Sequence, residues 1–411
     1  MASVEKRIQE EILRDLDMTR EISDEELLGI IRQKICDVGK GEYLSIAYRM
    51  ELEHRIFYGL RRLDVLEDLL ADDTITEIMV NGPDQIFIER NGCLEETKYH
   101  FSSNEKLDDV IQRIASANNK MANTSHPIVD TRLADGSRVN MVLAPIAVDH
   151  SVLSIRKFPK EQITMEKLIA WQALSQEAAD FICQLVQSGY NIFVSGGTGS
   201  GKTTFLNAMS EFIPKDQRVI TIEDSAELQM SSVPNLVRLE TRGANAEGEG
   251  AVEISDLIRA SLRMRPNYLI VGEVRGKECL DMLQALNTGH FGLSTGHGNS
   301  ARDMLSRLET MTLMAADIPL TAVRGQIASA IDILVHLGRL RDRSRRVLEI
   351  TEVTGYAEGE IQLNPLYRFE ERGDADEDRS PGGAKQGVRG SLTAVGTLAR
   401  QEKLHAAGYS L

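Results

Sequence analysis

Nine residues, Gly196-Gly-Thr-Gly-Ser-Gly-Lys-Thr-Thr204, follow the β-branched, apolar run Asn191-Ile-Phe-Val-Ser195 and lead into a helical pattern. A glycine-rich turn between strand and helix that closes on Lys and Thr matches G-x-x-x-x-G-K-[ST] in the setting its physics requires. Glycine at 196, 197, 199 and 201 frees the backbone to curl, so that successive N–H groups, those of Thr198 and Ser200 included, converge on one anion. The helix beyond the loop aims its positive end at the same point. Lys202 is placed to neutralise β- and γ-phosphate charge, Thr203 brings a hydroxyl for Mg²⁺, and Thr204 completes the phosphate-binding run. A guanine-reading N-K-x-D segment is absent, so the expected ligand is ATP with Mg²⁺.

Hydrolysis at such a loop needs carboxylates at the same sheet edge, because ligands of open α/β sheets bind beyond the carboxyl ends of the strands. Two further strand-like runs supply them. Val219–Ile222 leads into Glu223, Asp224 and Glu227, and Tyr268–Val271 leads through Gly272 into Glu273. Glu273 is expected to activate the attacking water; Glu223 and Asp224 are expected to serve the metal shell, directly or through water. Glu227 reads either as a further acid or as a helix cap. His290 and His297 bracket a short glycine-flanked strand, which returns His297 to the carboxylate edge, where it can sense the γ-phosphate. Zinc is the weaker use of this pair, since no further ligand stands at suitable spacing. His336, in Ile-Leu-Val-His-Leu, reads as a strand residue without chemistry.

The rest of the chain divides by hydrophobic period. Residues 1–71 read as helices, with Ile8, Ile12, Leu13 and Leu16 and then Leu27, Leu28, Ile31 and Ile35 at 3–4-residue spacing. Residues 72–158 read as a smaller α+β domain. It contains a hairpin turning at Asn91-Gly92, a second turning at Asp135-Gly136, and a helix over 106–117. A linker over 159–175, with helical character from Glu166 to Gln187, precedes residues 176–370. There strands alternate with helices, which implies an α/β domain with a parallel central sheet. Residues 371–390, rich in acids, Gly and Pro, are expected to be a flexible linker. The tail, 391–411, is expected to carry one short helix around 398–407.

Composition limits the partners. A net charge of −15 over 411 residues argues against a surface that holds nucleic acid stably. No window reaches the length of a membrane span and the first residues lack a signal-peptide core, so a cytoplasmic protein is expected. Cys36, Cys93, Cys183 and Cys279 stand far apart and read as reduced thiols rather than a zinc or disulfide site.

Taken together, the P-loop, Thr221–Leu228, Leu262-Arg-Met-Arg-Pro-Asn-Tyr-Leu-Ile-Val-Gly-Glu-Val-Arg275 and Thr288–Ser300 resemble the Walker A, Asp-box, Walker B and His-box motifs of the type II/type IV secretion ATPase superfamily. Thr76-Glu-Ile-Met-Val-Asn-Gly82, His126-Pro-Ile-Val-Asp-Thr-Arg-Leu-Ala-Asp-Gly-Ser-Arg138 and the terminal Lys403-Leu-His-Ala-Ala-Gly408 are similar to the CpaF-type ATPases of tight-adherence (Flp) pili. The resemblance implies a RecA-like ATPase domain, a homohexamer with ATP between the two domains of each protomer, and work against inner-membrane platform proteins, with the ring peripheral at the inner face of that membrane. It also implies that Arg138 and Arg156 reach nucleotide phosphates, with Arg132 a further candidate. The client it implies is pilin. A type IV secretion client (effector or DNA) and a nucleotide-gated scaffold with little turnover are the competing readings. Two positions depart from common patterns: Gly272 stands where many P-loop ATPases carry Asp, as is usual in this superfamily, and Asn267 replaces a more frequent Asp. The cysteine-rich zinc module of type II and type IVa extension motors is missing.

Overall fold

A computed structural model describes residues 2–15, 22–41, 43–90, 92–158, 162–244, 249–374 and 388–409. The chain divides into two compact units, Met1–Lys160 and Glu161–Leu411.

The first unit begins with three amphipathic helices, α1 (Ala2–Asp15), α2 (Asp24–Val38) and α3 (Ile46–Arg61). Their 3–4-residue apolar spacing places Ile8, Ile12, Leu27, Ile31, Ile35, Leu52 and Ile56 in one shared core. Ser23 and Ser45 cap α2 and α3 by accepting the backbone N–H three residues on, each at 3.2 Å. Leu16 lies outside the described residues. After the short α4 (Leu66–Ala71) come β1 (Ile75–Asn81), β2 (Ile86–Arg90), β3 (Cys93–Glu96), α5 (Asn104–Ala117), β4 (Ile128–Arg132), β5 (Arg138–Val142) and β6 (Val152–Arg156). These strands form an antiparallel sheet ordered β3-β2-β1-β6-β5-β4. The amphipathic face of α5, Leu107, Val110, Ile111 and Ile114, shares a core with the strands' alternate residues.

Both expected hairpins form, as β2–β3 and β4–β5. Gly92 has φ 74°, while Asn91 lies outside the described residues. The second turn differs from the two-residue form expected at Asp135-Gly136. Leu133 N–H bonds Ser137 O at 2.9 Å and Gly136 N–H bonds Leu133 O at 3.0 Å, leaving a three-residue loop in which only Gly136, at φ 88°, is left-handed. The Asp135 carboxylate accepts the Ser137 N–H at 2.9 Å, which favours this longer loop over a type I′ turn.

The second unit opens with α6 (Met165–Ala170) and α7 (Gln176–Gln187). The helical stretch expected from Glu166 is therefore broken, at Gln172 with φ 57°. Met165, Leu168, Ala173 and Leu174 are buried in the core, so residues 162–175 pack as part of this unit rather than as a linker; 159–161 lie outside the described residues. Next come β7 (Ile192–Gly196), α8 (Lys202–Ser210), β8 (Arg218–Glu223), β9 (Asn235–Glu240), α9 (Ile254–Ser261), β10 (Tyr268–Val271), α10 (Glu278–Asn287), β11 (Phe291–His297), α11 (Ala301–Ala315), α12 (Leu320–Ala330) and β12 (Ile333–Arg339). Antiparallel β13 (Arg345–Ala357), β14 (Glu360–Asp374) and β15 (Val388–Ala394), then α13 (Glu402–Ala406), complete the unit.

One nine-stranded sheet runs β15-β14-β13-β12-β7-β11-β10-β8-β9. Its β12-to-β9 portion is parallel and β12 through β15 are antiparallel. Two apolar clusters build the core, one including α7 and α8 and the other α9–α12.

The segment 371–390 is corrected at both ends. Glu371 pairs with Gly390 and Asp374 with Val388, so these residues are strand, and 375–387 lie outside the described residues. The tail helix is shorter than expected, with Leu398 buried ahead of it and Leu404 buried within it. Glu352, 1 % exposed, accepts the N–H groups of Ala399 (2.9 Å) and Arg400 (2.7 Å), and Lys403 reaches Asp332 at 2.6 Å. Among the described residues no helix is long and apolar enough to cross a membrane.

Candidate active site

The fully buried strand β7 delivers the loop to the carboxyl edge of the parallel strands. In register, Gly196 lies between His297 of β11 and Leu337 of β12. A Cβ at Gly196 would stand 2.5 Å from Leu337 O, so no other residue fits there without moving β12. Gly201, at φ 93°, turns the chain into α8. Gly197 is different: it has no positive φ and open space where a Cβ would be, so the curl of the loop does not demand glycine there. Thr198 is exposed, and Thr203 and Thr204 are half-buried in the first turn of α8.

Lys202 is buried and folded over its own loop. Its Nζ donates to Gly196 O (3.2 Å) and Gly197 O (3.1 Å) and stands 3.3 Å from His297 Nδ1. An ammonium group has only donors, so that Nδ1 accepts and a neutral His297 carries its hydrogen on Nε2. Burial, then the Lys202 charge, holds the imidazole below its ordinary pKa, although Glu273 pulls the other way.

From His297 the polar chain continues. Nε2 lies 2.9 Å from Glu273 Oε1, Glu273 Oε2 accepts from Arg275 Nη2 at 2.9 Å, and Arg275 Nη1 lies 3.4 Å from Asp224 Oδ2. The His297–Glu273 approach is a close contact rather than an aligned hydrogen bond. Glu273 Oε1 is thus a buried oxygen without a hydrogen-bond partner among the described residues. Burial raises the pKa of Glu273, but the Arg275 hydrogen bond and the charges of Arg275, His297 and Lys202 outweigh it, and the net direction is downward. Glu273 is therefore anionic at neutral pH.

Glu223, at the end of β8, is 3 % exposed. Its Oε2 accepts the N–H groups of Glu227 (2.8 Å) and Leu228 (3.0 Å), and burial pushes its carboxyl up despite those bonds. Glu223 Oε1 has no hydrogen-bond partner among the described residues, and the same is true of Ser200 Oγ and Thr221 Oγ1. Gly272 is explained by this neighbour: a Cβ there would lie 2.9 Å from Glu223 Cγ. Asn267 is explained as well, since its Oδ1 accepts the Arg218 N–H at 2.9 Å at the start of β8, an acceptor role that Asp fills equally.

The residues expected to hold Mg²⁺ make no preformed cage. Among the described residues no group of three His, Cys, Asp or Glu side chains could hold a metal, and at this edge Glu223 Oε2 is engaged by backbone while Asp224 faces Arg275. Mg²⁺ in nucleotide sites keeps several waters and takes one or two protein ligands beside substrate phosphate. The free lone pairs of Glu223 Oε1, together with the hydroxyl of Thr203, fit that sparse mode.

His290 precedes β11 and turns back onto Ala285 O at 3.0 Å, whereas His297 ends the strand, so the two do not form a metal pair. His336 is buried with Ser195 Oγ at 2.9 Å, directly beneath the loop. Arg132, Arg138 and Arg156 belong to the first unit, where β4, β5 and β6 place them side by side in register, Arg132 opposite Arg138 and Arg138 opposite Arg156. Arg156 Nε also lies 3.9 Å from Glu77 Oε1, so a carboxylate of β1 stands beside this row.

Sequence reasoning assigned no role to two contacts. Arg275, two residues beyond Glu273, bridges Glu273 and Asp224. Arg345 donates from Nε to Gly199 O at 2.7 Å. The available signal for the second was the run of arginines between 339 and 346.

Residues 60–386 match the family model described as Type II/IV secretion system protein. The chain belongs to that family. It is 35% identical over 320 residues to a putative conjugal transfer protein of Mycobacterium tuberculosis, which covers 76% of this chain and 90% of the relative. It is 34% identical over 321 residues to the type IV secretion system protein PtlH of Bordetella pertussis, covering 70% and 93%. The crystal structure of the pilus retraction motor PilT with bound ADP aligns over 84% of this chain and 86% of that one, at TM-score 0.52 and 19% identity. That likeness shows the fold, an α/β architecture with a RecA-like ATPase core. The glycine-rich loop after β7 and the acidic residues at the ends of β8 and β10 all lie within the residues matched to this type II/IV secretion system family.

Proposed function

We propose that this chain is an ATP-hydrolysing motor, acting as a homohexamer against inner-membrane platform proteins to assemble a tight-adherence (Flp) pilus. The observation that carries the ATPase reading is the line of close polar contacts Lys202–His297–Glu273–Arg275–Asp224 along the edge where the glycine-rich loop lies. Lys202 spends its protons on loop carbonyls and can exchange them for phosphate oxygens at little desolvation cost, because it is already buried. That move takes its charge from His297 Nδ1, so the imidazole reports phosphate occupancy to Glu273. Glu273 Oε1, buried and short of a donor, is suited to hold a water. Its lowered pKa makes it an orienting group more than a strong base. Mg²⁺, when bound, supplies charge neutralisation at the phosphates, and Thr203, Glu223 and Asp224 are the residues proposed to meet it. The Arg132–Arg138–Arg156 row is proposed as a second set of phosphate partners, Arg138 and Arg156 first.

Glu273→Gln in the purified chain tests this reading. ATP binding is expected to persist while phosphate release falls by at least about 100-fold, a loss of about 3 kcal/mol in transition-state stabilisation. Unchanged turnover removes Glu273 from the mechanism. Ring assembly on ATP without measurable release by the wild type supports the scaffold reading instead. A second client, effector protein or DNA, draws support from the identity to PtlH and to the conjugal transfer protein. Prepilin and prepilin-peptidase genes beside this one favour the pilus, and conjugation-channel genes favour secretion.

A further inference from the structure

The turn between β12 and β13 carries Arg339, Arg341, Arg343, Arg345 and Arg346 in a chain of net charge −15. Three of these have distinct surroundings. Arg346 is buried, donates to Val388 O at 3.0 Å and lies over the Phe369 ring, so its charge is absorbed by the sheet. Arg341 pairs with Glu371. Arg345 instead crosses to the phosphate loop, with its Nε 2.7 Å from Gly199 O and its Cδ 3.5 Å from where a Cβ on Gly201 would lie. Arg339 stands directly opposite Arg345 in the β12–β13 register. Repulsion between these cross-strand partners favours a conformation in which Arg345 leans away onto a carbonyl.

This contact acts on the loop through one peptide plane. A trans peptide points its C=O and the following N–H in opposite directions. With the Gly199 carbonyl drawn outward to Arg345, the Ser200 N–H turns inward and donates to Gly197 O at 3.3 Å, a carbonyl that Lys202 also covers, so phosphate must take over this donor as it takes over Lys202. Gly199, at φ 69°, is a residue whose peptides flip readily without such a restraint. We propose that Arg345 is a positioning residue for phosphate binding: it holds the Gly199–Ser200 peptide in the orientation that presents Ser200 N–H to the nucleotide's phosphates. This rests on reading the loop as a nucleotide site.

The test compares affinities of the full chain for ADP and for adenosine, with Lys202→Ala as the reference for the loop itself. Arg345→Ala is expected to weaken ADP about tenfold, as loss of a charge-assisted hydrogen bond implies. Adenosine affinity and the melting temperature without ligand should be unchanged. Arg345→Lys keeps a donor within reach of the same carbonyl and is expected to recover most of the ADP affinity. The proposal is overturned if Arg345→Ala binds ADP as the wild type does. It is also overturned if Arg345→Lys is as weak as Arg345→Ala, or if adenosine weakens in parallel, since the guanidinium would then touch the ligand itself. A wild type that binds no ADP, or a Lys202→Ala variant that binds it undiminished, fails the loop reading, and the Arg345 role falls with it.

Discussion

Glu352 ties the tail to the nine-stranded sheet by accepting two of its backbone N–H groups, beside the ion pair of Lys403 with Asp332. It sits in β13 opposite Ile333 of β12, which in turn pairs with Ile192 of β7. Oε1 accepts Arg400 N–H at 2.7 Å, while Oε2 accepts Ala399 N–H at 2.9 Å and Asn364 Nδ2 at 2.8 Å. Glu352→Gln keeps one acceptor oxygen and sets an NH₂ against backbone or amide donors on the other side. At least one of the three bonds is lost, and a donor then faces a donor. Hydrogen bonds to charged groups contribute about 1.5–3 kcal/mol each, so the expected loss is about 2–4 kcal/mol. Glu352→Ala, which strands all three donors, should cost about 3–6 kcal/mol, a large share of the roughly 5–15 kcal/mol typical of a folded domain. Urea unfolding followed by far-UV circular dichroism measures both, with limited proteolysis showing whether residues after Val395 become cleavable first. A loss below about 1 kcal/mol for Glu352→Ala would show that the burial of Leu398 and Leu404 and the Lys403–Asp332 pair hold the tail without it, and that the Glu352 carboxylate is dispensable.

Two other outcomes follow from the site and the thiols. Arg275 lowers the Glu273 pKa, so Arg275→Ala should let burial raise it; the acid limb of the turnover–pH profile then moves to higher pH, and an unmoved limb would refute the Arg275–Glu273 coupling. Burial pushes the Cys279 thiol up to about 12, whereas Cys36 and Cys93 are exposed, so a thiol reagent at pH 8 should label Cys36 and Cys93 in the native state and reach Cys279 only on unfolding, as mass mapping would show.

The phosphate loop and the acids after β8 and β10 were legible because each is a contiguous run whose chemistry depends on its own strand and turn. The return of His297 to the carboxylate edge was readable for the same reason, since one glycine-flanked strand carries the imidazole there, whereas its contacts with Lys202 and Glu273 and the Arg275 bridge were not. Arg345 was not legible, since its target lies 146 residues away and depends on β12 pairing with β7. The strands β13 and β14 escaped because register shifts between Ile350 and Thr351 and between Val353 and Gly355 break the period of two. Composition misled at 162–175 and at the two ends of 371–390, where few apolar residues suffice once a neighbouring strand or core supplies partners. The row Arg132–Arg138–Arg156 shows the converse: three residues picked one by one turn out to be cross-strand neighbours, a relation only pairing register reveals.

The glycine after β10 has an evolutionary corollary. With Glu223 Cγ 2.9 Å from the place a Cβ would take, positions 223 and 272 compete for one volume. Aspartate at 272 therefore requires the Glu223 side chain to shift or shorten, which couples substitution at the two positions. Saturation mutagenesis at 272 alone should return glycine, while a library that varies both codons should recover small residues at 223 alongside acids at 272.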